Sequence, residues 1–357
     1  MTPYHEITAN LHVHSIYSDG LKTHAQIARD AMRAGLDAVI VTDHNVFPEG
    51  LGGYYQNGKK RVLVIIGEEI HDIRRQPQKN HLLAIGTNHS YAHLAHQPQD
   101  LIKAIVQDGG LTFVAHPVDP ELPAFDEVDL SWEDWNISGF TGLEIWNGLS
   151  ELKFRVQKKL HVYFYVVFPR LLPFRAPSQI LSIWDNLLNA GQHVVGIGGS
   201  DAHTFHFSFG PFRLTVFPYL FHFQTINTHI LLKKPLGGDV ESDKISILSA
   251  LKSGNVFIAN DYLHPAKGFR FFANGKKETA YMGDKIKLAD GLTLHAELPA
   301  RAFCRLVRNG KTIEELQNTC KIDYPVEKRG VYRLECERQF FFKQRGWIYS
   351  NPIAVTG

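Results

Sequence analysis

Two histidines, His12 and His14, stand one residue apart near the start of the chain, at the end of an apolar run. The pattern of residues 7–13 predicts a β-strand, in which alternate side chains share one face. Their two imidazoles would then lie side by side and make half of a transition-metal site. Taken alone, the pair is more typical of a polar strand end with two surface histidines, so the interpretation depends on the rest of the chain.

Seven further residues able to bind metal follow at intervals, most of them directly after a short apolar run. They are Asp19, His44, Glu69, His81, His116, Asp201 and His203. The set contains imidazoles and carboxylates but no thiolate, which favours Zn, Mn or Fe over a structural zinc site of the cysteine type. Any one member, such as His81, equally suits an ordinary histidine. The whole set exceeds the needs of one tetrahedral ion, so we expect two or three divalent ions.

Short apolar strands alternate with helical segments through the first two hundred residues. A capping box of Thr23 and Gln26 predicts one helix, which Gly35 ends, and Pro98 begins another that stops at Gly109. This alternation predicts a parallel sheet covered by helices. In a β/α barrel the carboxyl ends of the strands carry the active site, so the candidate ligands should converge there.

The sequence pattern changes near residue 268. From there, short strand-like runs separated by Asn-Gly and Asp-Gly turns predict β-hairpins. We therefore expect two domains, an α/β barrel over residues 1–265 and a small β-sandwich over residues 266–357. Two aromatic stretches, residues 160–174 and 205–223, fit neither pattern. They suit a flap packed over the barrel, and an apolar substrate wall, a dimer contact or a membrane-surface patch are the alternatives.

Composition narrows the classes of function. With 357 residues, a net charge of +2 and 44% hydrophobic residues, the chain is typical of a globular protein without the basic face of a nucleic-acid binder. Cys304, Cys320 and Cys336 form no CxxC pair, so we expect small buried residues and no disulfide framework. No leader-like apolar segment and no run of 18 apolar residues are visible, which predicts a cytoplasmic protein without a membrane span.

Six short segments together resemble the PHP (polymerase and histidinol phosphatase) superfamily. They are His12 and His14 with Ser18-Asp19-Gly20, Thr42-Asp43-His44, Gly67-x-Glu69-Ile70, residues 81–86, Ala115-His116-Pro117 and Gly199-Ser200-Asp201-Ala202-His203. Each is weak alone, but the set is highly specific. A further set of four segments is similar to the CehA/McbA-type metallohydrolases. This closer resemblance also accounts for a C-terminal β-domain. The four segments are Asp43-His44-Asn45, residues 144–148, Trp184-Asp185 and Ser350-Asn351-Pro352-Ile353.

The resemblance implies a distorted (β/α)7 barrel, the PHP fold, with a polynuclear metal centre. One ion would take His12, His14, Glu69 and Asp201, a second would share Glu69 and add His81 and His116, and a third would take Asp19, His44 and His203. The sequence departs from the family at Asn10, where many members have an acidic residue, and at Asp19, where many have histidine. The aromatic stretch of residues 160–174 matches no piece of the family pattern.

Adjacent metal ions make hydroxide available near neutrality and bind the oxygens on which negative charge develops. Phosphate esters suit such a centre, because their oxygens bridge two ions about 3.5–4 Å apart. We expect a metal-dependent phosphoesterase that cleaves a small organic phosphate monoester or diester with a metal-bridging hydroxide. The expected catalytic residues are Glu69, Asp201 and His203, and the expected substrate-binding residues are Asn45, Asn147 and His206.

Some of these assignments have alternatives. Asn45 and Asn147 equally suit turns, and the sequence does not choose between His203 and His206 as the proton donor to the leaving group. Glu68 and Asp43 adjoin ligands but should point away and support the structure. A hydrolase of carbamates or other carboxyl-type esters could use the same metals. A non-catalytic metal-stabilised binding module and a DNA-processing enzyme fit less well, and the oligomeric state stays open.

Overall fold

The chain folds into a mixed α/β structure, taken here from a computed structural model that describes residues 4–123, 127–156, 158–168, 171, 174–209 and 212–357. The helices are α1 (His24–Ala34), α2 (Pro98–Gln107), α3 (Gly148–Arg155), α4 (Lys159–Val167), α5 (Ser178–Asn189), α6 (Tyr219–Phe223) and α7 (Val240–Ser253). The first twelve strands are β1 (His5–Asn10), β2 (Ala38–Val41), β3 (Gly53–Asn57), β4 (Lys60–Ile70), β5 (Leu82–Ile85), β6 (Leu111–Val114), β7 (Gly142–Asn147), β8 (Val195–Gly199), β9 (Phe205–Phe209), β10 (Phe212–Val216), β11 (Ile226–Leu232) and β12 (Val256–Asn260). The remaining strands are β13 (Arg270–Asn274), β14 (Thr279–Tyr281), β15 (Lys285–Lys287), β16 (Thr293–Arg308), β17 (Lys311–Pro325), β18 (Gly330–Phe340), β19 (Lys343–Ser350) and β20 (Ile353–Thr356).

The first helix begins and ends where its sequence signals predict. The Thr23 hydroxyl accepts a hydrogen bond from the Gln26 backbone N–H, and the Gln26 side chain accepts one from the Thr23 N–H. Gly35 ends the helix in the left-handed region, with φ at 87°. The buried side of α1 includes Ile27 and Ala28, which pack in one core cluster with strands β2 and β4.

The sheet of the N-terminal part is mixed, which corrects the expectation of a purely parallel sheet. Strands β1, β2 and β4 pair in parallel, as do β6, β7 and β8. Between these groups, β5 runs antiparallel to both β4 and β6. A parallel pair needs a long crossover, usually a helix, and residues 71–81 between β4 and β5 contain none. The chain therefore turns back on itself at this point.

The first strand also ends earlier than predicted, at Asn10, so His12 and His14 lie beyond β1 and not within it. Here the chain leaves the β1 ladder and forms an isolated parallel bridge between Val13 and Ala202. The Ala202 N–H donates to the His12 carbonyl, and the His14 N–H donates to the Ala202 carbonyl. This bridge brings the segment that follows β1 beside the segment that follows β8.

Strands β13 to β20 supply most of a second hydrophobic core, which includes Phe271, Tyr332 and Trp347 and extends to Phe257 of β12. Residues 293–308, where the sequence predicts only short strands, form one long strand, β16, whose pairing with β17 is irregular between Glu297 and Cys304. The polar strand β17 was not predicted, because its side chains are mostly exposed and lack an alternating apolar pattern. Cys320 lies on it and is exposed, contrary to expectation, whereas Cys304 and Cys336 are buried.

The aromatic residues near position 160 form α4, whose side chains largely face solvent where they are described. Tyr163, Phe164 and Val167 are exposed, while Tyr165 packs against a small cluster that includes Leu152 and Phe217. The helix is thus attached along one side only. Within the part of the chain that the structure describes, no helix is both long and apolar enough to span a membrane.

Candidate metal centre

The nine candidate ligands come from strand termini and the loops beside them, all at one edge of the sheet. His44 follows β2, Glu69 lies at the end of β4, and His116 follows β6. His81 directly precedes β5, and because β5 is antiparallel to its neighbours, its first residue lies at the edge where β4 ends. The structure therefore gathers residues spread over positions 12 to 203, although one strand runs opposite to expectation.

Four fully or largely buried residues form the first group, which comprises His12, His14, Glu69 and Asp201. Glu69 Oε2 lies 3.0 Å from His12 Nε2 and 3.1 Å from His14 Nε2. Asp201 Oδ1 lies 3.5 Å and 3.2 Å from the same two nitrogens. The two imidazole nitrogens are themselves 3.1 Å apart.

The other oxygen of Glu69 faces a second group. Glu69 Oε1 lies 2.8 Å from His81 Nδ1 and 2.9 Å from His116 Nε2. The opposite nitrogen of His81 lies 2.7 Å from the Gln78 carbonyl, to which it can donate, and this contact fixes the ring. Glu69 thus places one carboxylate oxygen in each of two adjacent ligand groups.

A third group lies nearer the surface and comprises His14, Asp19, His44 and His203. Asp19 Oδ1 is 2.9 Å from His203 Nε2, and Asp19 Oδ2 is 3.6 Å from His44 Nε2. Asp19 is the most accessible of the candidate ligands, with 55% of its side chain exposed. The third group is therefore more open to solvent than the other two.

One residue that sequence reasoning missed, His71, joins His44 and His81 in a further group of nearby imidazoles. Its ring stacks on that of His81, with the centroids 4.3 Å apart. The sequence contains a signal for His71. Residues 69 and 71 are two positions apart on extended backbone, as His12 and His14 are, so their side chains share one face. In the described part of the chain, no such group uses a residue beyond His203, so none involves the C-terminal strands.

The geometry of these groups fits a metal ion. In a tetrahedral site with bonds of about 2.0–2.1 Å, neighbouring ligand atoms lie about 3.3 Å apart, close to the distances in the first group. His12 Nε2 and His14 Nε2 converge on one point, where two imidazole N–H groups would repel each other. His44 Nδ1 is buried 3.2 Å from Glu69 Oε2 but makes no hydrogen bond among the described residues, which suits a nitrogen that faces a metal ion. That these residues bind metal remains a prediction.

The electrostatics of the groups also suit cations. Burial raises the pKa of Glu69, but His12, His44 and His81 outweigh this effect and hold it well below its usual range. Burial also raises the pKa of Asp201, but the surrounding imidazoles outweigh burial and hold this pKa well below its usual range. Burial lowers the pKa of His203, yet hydrogen bonds to Asp19 and Asp201 raise it to about 10. The buried carboxylates therefore remain charged and need positive charge beside them, which divalent ions supply.

A second layer of contacts holds the ligands in place, with Glu144 at its centre. Glu144 Oε1 lies 3.1 Å from His12 Nδ1, and Glu144 Oε2 accepts hydrogen bonds from the His116 N–H and the Asn147 side chain. The Asn147 amide also donates to Asp201, and its oxygen caps α3 by accepting from the Ser150 N–H. These contacts orient Asn147 toward Asp201, and its expected role in substrate binding stays a prediction.

The other sequence-predicted residues divide in a similar way. Asn45, with φ at 52°, accepts a hydrogen bond from the His71 N–H and approaches the His71 ring, while its expected role in substrate binding stays a prediction. The backbone of His206 lies in β9, but its side chain is outside the described part of the structure. Asp43 accepts hydrogen bonds from Ser15 and Ser18 and points away from the centre, as expected.

Comparison with known proteins adds a family to this geometry. The family model of the PHP domain matches residues 10–107. This stretch is a PHP domain. Six of the nine candidate ligands lie within the matched PHP domain, and His116, Asp201 and His203 lie beyond it. The predicted resemblance to the PHP superfamily is therefore confirmed over this stretch.

Individual proteins are also similar to the chain. An uncharacterized protein of Methanocaldococcus jannaschii is 26% identical over 130 residues, which are 33% of this chain and 72% of that protein. A crystal structure from Bacteroides vulgatus, described as a two-domain protein containing a predicted PHP-like metal-dependent phosphoesterase, is 16% identical. The match covers 99% of this chain and 96% of the Bacteroides vulgatus chain. Its TM-score is 0.44, so the likeness is too weak to bear on activity.

Proposed function

We propose that this protein is a metal-dependent phosphoesterase that hydrolyses a small organic phosphate monoester or diester. One observation carries the proposal: the fully buried carboxylate of Glu69 directs Oε2 to His12 and His14, and Oε1 to His81 and His116. A carboxylate shared between two imidazole groups is suited to hold two divalent ions side by side. The PHP domain match over residues 10–107 supports the same class of activity.

Two bound ions act as Lewis acids toward phosphoryl oxygens and lower the pKa of coordinated water. The chain's own residues prepare this site. Glu69 and Asp201 supply buried negative charge, and His12 is oriented through its Nδ1 by Glu144. His203 links the groups, because its Nδ1 faces Asp201 and its Nε2 faces Asp19. We therefore assign Glu69, Asp201 and His203 to catalysis through the metals.

The volume of the cavity at the candidate metal centre supports a small substrate. Seven of the nine candidate ligands, all except His12 and His14, line a cavity of about 200 Å³, below the usual range for drug-sized ligands. A phosphate group and a short organic group fill such a space. The near-neutral net charge of the chain also favours a small substrate over a polynucleotide.

We further propose the CehA/McbA-type arrangement as the finer assignment, with a distorted (β/α)7 barrel over residues 1–265 and a β-sandwich over residues 266–357. The parallel bridge between Val13 and Ala202 supports barrel closure, because it links the segments that follow β1 and β8. The core around Trp347, built mainly from β13 to β20, supports a second domain.

The test is hydrolysis by protein reconstituted separately with Zn, Mn and Fe. We expect release of p-nitrophenol from p-nitrophenyl phosphate or its bis ester, abolished by a chelator and restored by metal. A naphthyl carbamate serves as the competing substrate. Turnover of the carbamate alone would replace the phosphoesterase assignment with the carboxyl-ester one, and no turnover of any ester by metal-replete protein would overturn both.

A further inference from the structure

One wall of the cavity at the metal centre is built from residues that are not candidate ligands. They are Asp119, Glu127, Leu130, Leu149, Ser150 and Lys153. Two leucines give this wall an apolar surface, and the other residues give it charge and hydrogen-bonding groups. An organic group attached to a phosphate bound at the metals would contact this wall.

Asp119 and Lys153 form a buried ion pair within the wall. The Lys153 ammonium lies 2.7 Å from Asp119 Oδ2, and the two side chains are 8% and 4% exposed. The Asp119 backbone is itself fixed, since its N–H donates to the Ser131 hydroxyl and its carbonyl accepts from the Leu130 N–H. The carboxylate is therefore rigidly placed, with one oxygen already paired.

The second oxygen of this carboxylate, Asp119 Oδ1, is buried and has no hydrogen-bond partner among the described residues. Leaving a buried charged oxygen without a donor is costly, and such groups in native proteins normally find one. Asp119 lines the cavity, so a molecule bound there is placed to supply the missing donor.

We propose that Asp119 is a specificity-determining residue that accepts a hydrogen bond from a hydroxyl or amine on the organic group of the substrate. This inference rests on the proposed phosphoesterase function and narrows its substrate class to phosphate esters of amino alcohols or polyols. The charges on the wall agree with such a substrate. The two carboxylates, Asp119 and Glu127, outnumber the single cation, Lys153. The wall is therefore net negative, which disfavours a second anionic group on the substrate and favours a hydrogen-bond donor.

Matched substrates test the proposal. The first set is propyl, 2-hydroxyethyl and 2-aminoethyl phosphate, and the second is pentyl, 4-hydroxybutyl and 4-aminobutyl phosphate. Within each set the esters have the same length and differ only in the terminal group. We expect kcat/KM for a hydroxyl or amino ester to exceed that of its alkyl counterpart by about tenfold or more in at least one set, because a hydrogen bond to a charged group is made only with the donor. The two donor arms show which group is preferred.

The failures are distinguishable. Equal kcat/KM across both sets, with turnover intact, would overturn the role of Asp119 and leave the phosphoesterase function standing. No phosphate release from any of these esters or from p-nitrophenyl phosphate would instead overturn the function itself.

Asp119→Asn provides a second measurement, because it removes the charge while keeping the shape. We expect the preference for the donor-bearing ester to fall about fivefold or more, with metal content unchanged. Asp30→Asn is the matched control, since Asp30 is also buried and pairs with a lysine, Lys22, but does not line the cavity. An unchanged preference in Asp119→Asn, or a loss of metal that places Asp119 among the groups holding the ions, would contradict the proposal.

Discussion

Glu68 and Glu69 follow each other in β4, and their fully buried carboxylates face opposite sides of the strand. Glu68 accepts hydrogen bonds from the Ser90 hydroxyl at 2.6 Å and from the Tyr91 N–H at 3.1 Å. Glu69 faces the histidines of the candidate metal centre, as alternation along a strand predicts. The two neighbours thus make a natural pair of test and control positions.

We expect Glu69→Gln to lose bound metal and to lower kcat/KM by at least about a hundredfold, because an amide bridges two cations poorly and metal stabilisation of the transition state amounts to several kcal/mol. Elemental analysis and phosphatase assays measure both effects. Glu68→Gln should keep its metal content, since Glu68 contacts no ligand. The reverse pattern would show that the strand is misassigned by one residue.

Metal removal should destabilise the fold as well as abolish activity. The purified protein should contain two to three divalent ions per chain by elemental analysis. Dialysis against a chelator should lower the free energy of unfolding by about 2.7 kcal/mol for each site previously held at a hundredfold excess over its Kd, because the ions bind only the folded chain. One ion or fewer after reconstitution would contradict a polynuclear centre.

Gly199 allows the centre to be perturbed without removing any ligand. A Cβ at this position would lie 2.6 Å from Glu144 Oε1 and 2.7 Å from His12 Cβ, closer than side chains approach. Gly199→Ala should therefore displace His12, reduce metal content and destabilise the protein by about 1–3 kcal/mol. Gly52→Ala is the control, because its Cβ would meet only ordinary contacts, the nearest at 3.5 Å. Equal metal content in the two variants would contradict the expected clash.

A buried cluster away from the metals should make stability depend on pH. His229 lies between Glu6 and Asp261, and Glu6 also pairs with Arg270. Burial lowers the pKa of His229, but Asp261 and Glu6 raise it to about 9. Since this folded-state pKa exceeds the ordinary value, the stabilisation is fully present below pH 6.5 and is lost as the pH rises through about 9.

The measurement is urea unfolding in chelator at pH 6.5 and pH 9, for the wild type and for His229→Gln. We expect the wild type to lose on the order of 2–3 kcal/mol more than the variant between these two pH values. Equal losses would mean that His229 does not carry the charge.

The sequence was most informative where chemistry and chain position coincide. His12, His44 and His116 each lie just past a strand, so local pattern was enough to group them. The reversed direction of β5 was not visible, because a short apolar run has no polarity of its own. His81 still reaches the centre because it precedes that strand. The parallel-sheet argument therefore placed His81 at the right edge for an incorrect reason.

Other features depend on contacts between distant residues and could not be read from spacing. The contacts of the Asn147 amide with both Glu144 and Asp201 join residues that spacing along the chain does not connect. The pairing of Asp119 with Lys153, 34 residues apart, leaves no local signature. The early end of β1 also leaves no local signature, because it depends on the bridge that Val13 makes with Ala202.

The return of the chain between β4 and β5 has a consequence for how this scaffold can vary. Both ends of the intervening loop are fixed, by Glu69 on one side and by His81, held by Gln78, on the other. Ile73 and Arg74, between these anchors, project into solvent. The loop tip can therefore lengthen, shorten or change its charge while the ligands at its two ends keep their positions, so variation at this surface leaves the metal-binding geometry intact.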